Sequence, residues 1–387
     1  MEPQLKLYKP DWNSDLAKIV LKLQELRVKQ LGGTVPPYIF FQLKEIFQWM
    51  ESLGSARIEG NHTTLAAFVE KIIEETPKNT KDEKLREIFN IDRAIEFIDS
   101  QIDGGTKITK AHLLEIHKII VDGLTLPPAG EGSRTPGELR KIPVAIKESP
   151  VALADPLRVP EYIDELLNFI NTPVDPQNDL LVTALAHHRM AWIHPFDNGN
   201  GRVIRMFTYA MLIKQDFKVK TGRILNPTAI FCIDRHKYYD MLALADTGEE
   251  DKVLEWCAYV LGGLKLEIEK IDRLLDASYV KDAILFPSLI DALERKLITD
   301  REYDILKALV KSEDMSIKSS DLEKVIGQES PVQRSRIIKK LREKKMLRAI
   351  SKNGRIYTIS FNNNYLLRSV IGFLEINGFI PQALNEK

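Results

Sequence analysis

The sequence predicts a mainly α protein. Apolar residues recur at helical spacing through most of the 387 residues. Clusters of Pro and Gly punctuate these runs where helices should end. β-like patterning is confined to two short stretches, one within 137–146 and one within 347–359.

Taken in order, residues 10–30 place Leu16, Ile19, Val20, Leu23 and Leu26 on one helix face, and a Gly-Gly turn at 32–33 with Pro36-Pro37 ends the run. A second helix is expected from about Tyr38 to Leu53, carrying Phe40, Leu43, Ile46 and Phe47. Ser55-Ala56-Arg57-Ile58-Glu59-Gly60-Asn61 follows and has the form of a helix C-terminus closed by Gly60. Glu59 is a poor local choice there, because a helix C-terminus already carries partial negative charge. It therefore needs a cationic partner elsewhere, or a job; the plain alternative is a solvated glutamate near a turn. Two helices, about 64–75 and 81–103, split at Pro77, and a Gly104-Gly105 turn precedes a helix from Ala111 to Gly123. Between 124 and 152, Pro127, Pro128, Gly130, Gly132, Pro136, Gly137 and Pro143 forbid a long helix. Helices are expected again over 156–171 and 177–193, then from Pro227 to Leu244 and from Asp251 to Leu275. His187 and His188 have no cysteine or second acid near them in sequence, so they read as packed or hydrogen-bonding residues rather than metal ligands. Residues 276–299 form a linking helix.

From 301 to 350 the pattern is helix, helix, helix, followed by a hairpin over Leu347–Ile350 and Ile356–Ile359 with its turn at Lys352–Arg355. This order resembles a winged helix-turn-helix over 300–362, with a helical tail at 363–387. Residues 301–360 hold 15 Lys and Arg against 8 Asp and Glu, a net of +7, although the whole chain balances 55 against 55. That local charge suits contact with DNA phosphate through Arg334, Arg336, Lys339 and Lys352. Docking to protein, or dimerisation, is the alternative.

The overall charge balance points to neither nucleic acid nor membrane. Two cysteines, Cys232 and Cys257, make no disulfide framework and no zinc pattern, which suits a reducing cytoplasm. The first residues lack a basic segment followed by an apolar core, so no signal peptide is expected, and no apolar run is long enough to span a membrane.

The chemistry concentrates at His194-Pro195-Phe196-Asp197-Asn198-Gly199-Asn200-Gly201-Arg202, with Arg205 one turn later. Helical apolar runs flank it on both sides, so a polar loop joins two buried helices and opens the second. Free backbone N–H groups and the helix dipole at such a start favour an anion. Arg202 and Arg205 add full charges, and His194 stands at the entrance as a base. The loop therefore reads as a phosphate cradle.

The stretch resembles the signature of Fic-domain proteins, His-x-Phe-x-(Asp/Glu)-Gly-Asn-Gly-Arg-x-x-Arg, with His194, Phe196, Gly199, Asn200, Gly201, Arg202 and Arg205 matching. The family acid falls at Asn198, while an acid stands one place earlier at Asp197. Ser55, Glu59 and Gly60 resemble the family's inhibitory motif, (Ser/Thr)-x-x-x-Glu-(Gly/Asn). The resemblance implies an N-terminal region with an inhibitory helix over 1–104 and a helical Fic core over 105–275. It implies AMP transfer from ATP to Ser, Thr or Tyr hydroxyls of proteins. His194 would be the base, and Gly199, Asn200, Gly201, Arg202, Val203, Ile204 and Arg205 would bind phosphate. Glu59 would pair with Arg205 and disfavour the productive nucleotide pose. Residues 137–146 resemble the family's flap, a β-hairpin that would dock the target by strand addition through Ile142 and Val144, with Arg140 open to the nucleotide or the target. Phe231 and Tyr239 would help wall the adenine pocket. Mg²⁺ would sit near Asn198, with Asp197 either compensating through water or capping the next helix. On this basis Asn198→Asp should leave activity intact or raise it. Gly201 stands where phosphorylating relatives carry Lys, which favours nucleotidyl transfer. Members often modify themselves and often form homodimers, so both are expected. The alternatives are a nucleotide-sensing DNA-binding regulator and a Glu59-dependent de-AMPylase.

Overall fold

The computed structural model describes residues 4–28, 33–74, 81–146, 151–217, 229–327, 329–351, 354–361, 365–381 and 384. The expected features at Gly32, Pro77, Pro227 and Lys352 lie outside the described residues. The helices are α1 (Asp15–Val28), α2 (Pro37–Ile58), α3 (Leu65–Glu74), α4 (Glu83–Gln101), α5 (Lys110–Ile120), α6 (Val159–Asn171), α7 (Asp179–Ile193) and α8 (Asn200–Lys214). They continue as α9 (Ala229–Ile233), α10 (Arg235–Ala245), α11 (Glu250–Leu274), α12 (Ala277–Tyr279), a π-helical turn at Val280–Leu285, and α13 (Phe286–Glu294). The remainder is α14 (Asp300–Lys311), β1 (Ser316–Lys318), α15 (Glu323–Ile326), α16 (Pro331–Glu343), β2 (Leu347–Ala349), β3 (Ile356–Ile359) and α17 (Leu366–Ile376). No described helix is long and apolar enough to cross a membrane.

The chain divides into two compact units that cut across the expected boundaries. One gathers the described residues of 1–30, 51–63 and 78–268, the other those of 31–50, 64–77 and 269–387. The N-terminal region is therefore shared between them.

In the first unit α7 and α8 pack on each other at the centre, with α6 against α7 and with α4 and α5 against α8. α7 and α8 are buried all round: Leu180, Ala184, Ile193, Val203, Phe207 and Ala210 are fully enclosed. Helices that are apolar on every face belong in a core. Trp256 of α11 closes on them, its indole N–H donating to the Ala184 carbonyl at 2.8 Å. His187 sits in this core between Thr208 Oγ1 at 2.7 Å and the Tyr238 hydroxyl at 2.9 Å, and His188 meets Asp246 at 2.9 Å. Both histidines have hydrogen-bonding roles.

In the second unit, β3 lies between β1 and β2 in an antiparallel sheet, with Ile317 opposite Tyr357 and Leu347 opposite Ile359. The order is helix, strand, two helices, then a hairpin. β1 was not expected; three residues are too few for period-2 patterning to register. α14 and α16 each open with a capping box, Thr299 with Glu302 and Ser330 with Gln333. Arg334 is ion-paired to Glu323 and largely covered, so it is not free for phosphate, whereas Arg336 and Lys339 are exposed.

Three further expectations need correction. α2 does not end at Leu53 but runs on to Ile58, because Ala56 and Ile58 extend its buried face past Gly54. The helix expected over 227–244 breaks before Asp234, which caps α10 by accepting from the Lys237 N–H at 2.9 Å. Residues 137–146 form no strand, so the described part of the flap is not a hairpin. The Arg140 N–H goes instead to the Pro195 carbonyl at 2.8 Å, which ties the segment to the loop after α7 rather than to a second strand.

Candidate active site

α7 stops at His194, whose φ of 48° and ψ of 61° turn the chain out of the helix. The loop that follows is braced from inside. The Asn200 side chain closes on Phe196 at both ends, accepting from its N–H and donating to its carbonyl at 2.8 Å each. Phe196 is fully buried and stacks on His117 of α5, with centroids 3.8 Å apart. His117 joins two loops: Nδ1 accepts from the Gly137 N–H at 3.0 Å and Nε2 contacts the Asn198 carbonyl at 3.2 Å. A carbonyl only accepts, so the His117 proton is on Nε2. Burial pushes its pKa down to about 4. Arg140 holds the entrance. Its guanidinium is buried and donates to the carbonyls of His194, Ile142, Ala154 and Ile193 at 2.6–3.2 Å.

His194 Nδ1 lies 3.2 Å from the Ala191 carbonyl. By the same reasoning Nδ1 carries the proton and Nε2 keeps its lone pair. Burial holds this histidine's pKa at about 4, so it is neutral at pH 7.

α8 begins beyond Gly199 with unbonded backbone N–H groups in its first turn. The buried Nε of Arg202 and Nη1 of Arg205 have no hydrogen-bond partner. Unsatisfied buried donors on two cations beside a helix N-terminus make an anion seat. A carboxylate already lies in it. A Cβ added at Gly201 would meet Glu59 Oε1 at 2.0 Å, so only glycine lets Glu59 approach this close. Arg205 Nη2 donates to that oxygen at 2.8 Å, and Ser55 receives Arg205 Nε at its hydroxyl and Nη2 at its carbonyl, both at 2.8 Å. Burial alone would raise the Glu59 pKa, but Arg205 and Arg202 outweigh it and hold the carboxyl below its usual range. Gly60 ends the turn with its N–H on the Arg57 carbonyl at 3.0 Å.

Arg202 is paired differently. Nη1 faces Glu87 Oε1 of α4 at 2.9 Å, and Nη2 donates to the Glu131 carbonyl at 2.9 Å and lies 3.3 Å from its carboxylate. Glu87 is buried, and its other oxygen accepts from Asn61 Nδ2 at 2.7 Å. Burial raises the Glu87 pKa against the pull of Arg202 and Asn61.

Residues 107–212, which contain α5 through most of α8, match the model of the Fic/DOC family. Over this stretch the chain is similar to Fic domains. Curated relatives of the chain include proteins named protein adenylyltransferase Fic. That of Nematostella vectensis is 28% identical over 205 residues, covering 50% of this chain and 42% of its own. That of Aedes aegypti is 29% identical over 204 residues, covering 50% and 36%. The chain thus spans less than half the length of these relatives. Among solved structures, a Fic family protein from Desulfovibrio desulfuricans superposes with a TM-score of 0.56 at 18% identity, over 91% of this chain and 98% of that one. A Fic domain containing signaling protein from Bacteroides thetaiotaomicron gives 0.51 at 18%, over 68% and 98%. At such identity the likeness concerns the fold.

Within this stretch and around it, several expected roles shift. Asn200 spends its side-chain amide on Phe196, so only its backbone faces the seat. The Val203 N–H closes on the Gly199 carbonyl at 3.1 Å, and the Val203 and Ile204 side chains are core. Phe231 is fully enclosed against His187, Tyr238 and Trp256, so it packs the interior rather than walling a pocket. Tyr239 is half-buried, beside Arg235. Arg140 is spent on carbonyls and does not reach outward, whereas Ile142 is exposed and Val144 half-exposed. Asp197 does not cap α8. Gly199 holds that position, and Asp197 accepts from Ser133 Oγ and the Arg134 N–H instead. Among the described residues no group of three or more His, Cys, Asp or Glu is arranged to hold a metal unaided.

His117, Glu87, Asn61 and Glu131 escaped the sequence reading. Glu87 left one trace, a carboxylate on the α4 face that buries Leu85, Ile88, Ile91 and Ala94. Charged residues are rarely enclosed unless paired.

Proposed function

We propose that this protein transfers AMP from ATP to a hydroxyl of a protein and that Glu59 holds the reaction in check. The observation that carries this reading is the carboxylate of Glu59 against Gly201 and Arg205, an anion already seated where a polyphosphate would bind. The name borne by the curated relatives supports the reaction class.

The chain's own groups suit each step. His194 Nε2 faces no competing proton and accepts that of the attacking Ser, Thr or Tyr hydroxyl. A bond forms from that oxygen to the α-phosphorus. The bond from the α-phosphorus to the oxygen bridging the β-phosphate breaks, and pyrophosphate leaves. The first-turn N–H groups of α8, with Arg202 and Arg205, stabilise the developing charge as fixed donors. Magnesium carried with the nucleotide would neutralise phosphate charge at the Asn198 end of the loop. The exposed Ile142 and half-exposed Val144, on the extended chain that Arg140 anchors, are the target-docking surface.

Glu59 also supports a second reading, in which it positions a water to remove AMP from a modified protein. Glu59→Gly separates the two: it raises transfer and abolishes removal. Labelling tests the main reading. ATP labelled at the α-phosphate should mark protein in the presence of Glu59→Gly enzyme, and ATP labelled at the γ-phosphate should not. Label from the γ-position would mean phosphorylation and would overturn the assignment.

In the C-terminal unit, Arg336 and Lys339 of α16 offer exposed charge for a nucleic-acid backbone.

A further inference from the structure

The rim of the anion seat beside Arg202 is built from a second loop. Arg202 Nη2 donates to the Glu131 carbonyl at 2.9 Å and Asn198 Nδ2 to the Gly132 carbonyl at 3.0 Å. Asp197 accepts from Ser133 Oγ and, at 2.8 Å, from the Arg134 N–H. Gly132 lets this loop lie close against the 124–125 backbone, since a Cβ there would meet the Leu124 carbonyl oxygen at 2.4 Å. These tethers aim the Glu131 carboxylate at the seat. Its Oε2 lies 3.3 Å from Arg202 Nη2 and 3.5 Å from Asn198 Nδ2, with the side chain 43% exposed.

A nucleotide's Mg²⁺ keeps its phosphate oxygens and waters and takes one or two carboxylates from the protein. Among the described residues, Glu59, Glu87, Asp197 and Glu131 place carboxylates beside the seat, and three of these are committed. Glu59 holds Arg205, Glu87 is buried between Asn61 and Arg202, and Asp197 accepts from the Ser133 hydroxyl and the Arg134 N–H. Glu131 remains. Its carboxylate is the more loosely held end of the contact with Arg202, at 3.3 Å and part exposed, because its own carbonyl receives the same nitrogen at 2.9 Å.

We propose that Glu131 is the carboxylate ligand for the divalent cation that arrives with the nucleotide, with Asn198 as its neutral partner. The inference rests on the nucleotide-binding reading above. Asn198 donates to Gly132 through Nδ2 and leaves Oδ1 for the cation. The charge is thus carried by residue 131 and the amide by residue 198. An aspartate at 198 could not donate to the Gly132 carbonyl and would stand against the Glu131 carboxylate. Asn198→Asp alone should therefore weaken the site, against the sequence-based expectation, and should be tolerated once Glu131 is neutral.

The test is ADP binding by calorimetry, with Mg²⁺ and with EDTA, in Glu59→Gly protein. Glu131→Gln should leave metal-free ADP affinity within about twofold and lower the Mg²⁺-dependent gain by about tenfold or more. Adding Asn198→Asp to Glu131→Gln should restore that gain. Electron paramagnetic resonance of Mn²⁺ with ADP should give the same order of affinities. A Glu131→Gln protein that keeps the full metal-dependent gain would overturn the proposal, as would tighter Mg²⁺-ADP binding by Asn198→Asp with Glu131 present. Failure of ADP to bind under any condition would remove the nucleotide reading and this inference with it.

Discussion

Arg202 and Arg205 stand one turn apart on α8 and are both fully buried, yet their carboxylate partners come from different places. Arg205 is held by Ser55 and Glu59, at the last turn of α2 and just past its end. Arg202 is held by Glu87 from the buried face of α4 and by Glu131 from a loop. Glu87 is nearly enclosed and also anchors Asn61, so it cannot leave without unpacking the domain. Glu59 is still a quarter exposed and sits beside Gly60, whose φ of 100° turns the chain out of α2. One arginine is therefore paired within the scaffold, and the other is paired by the carboxylate that the proposed mechanism makes the brake.

The largest effect should come from His194, the proposed base, which stands at the loop that leads to both arginines. His194→Ala is expected to lower AMP transfer by about 10²–10⁴-fold, measured by label incorporation from ATP. The next change separates the two sides. Glu59→Gly removes a charge-assisted contact worth ~1.5–3 kcal/mol and should raise nucleotide affinity about tenfold or more by calorimetry. Glu87→Ala should instead cost stability, about 3–5 kcal/mol in urea unfolding, because it removes the buried carboxylate from Arg202 Nη1 and from Asn61 without freeing the seat. If Glu87→Ala instead raised affinity as Glu59→Gly does, both contacts would be brakes and the distinction would fail.

A smaller effect concerns pH. His194 and His117 both titrate near 4 in the folded protein, against an ordinary 6.5. The unfolded chain therefore binds more protons below pH 6.5, and stability should fall as the pH is lowered from about 6.5 toward 4. His117→Gln should flatten that slope in urea midpoints taken across the range. Smallest of all, Arg336→Glu with Lys339→Glu should leave AMP transfer unchanged and weaken any salt-dependent binding of duplex DNA by the full-length protein.

The helical architecture was legible because most segments carry apolar residues at one helical period and end at Pro, Gly or a capping side chain. The signature loop was legible because its residues are contiguous. The Glu59–Arg205 pair, 146 residues apart in sequence, was reached through a resemblance on both sides. Nothing local could have joined Glu131 to Arg202, or Asn61 to Glu87, because each pair meets only after α4, α5 and α8 have packed. The flap was misread for a related reason. Period-2 patterning records which side chains alternate, but it does not say whether the backbone will find a strand or, as at Arg140, the carbonyl of Pro195.

Intact mass spectrometry after incubation with ATP and Mg²⁺ tests the brake and the base together. Wild type, Glu59→Gly and Glu59→Gly/His194→Ala would be compared, each alone and with a lysate as a source of targets. Added AMP on protein incubated with the Glu59→Gly form, and none with the other two, is the expected result. Equal modification by wild type and Glu59→Gly would mean that Glu59 restrains nothing, and modification by the double variant would remove His194 from the chemistry.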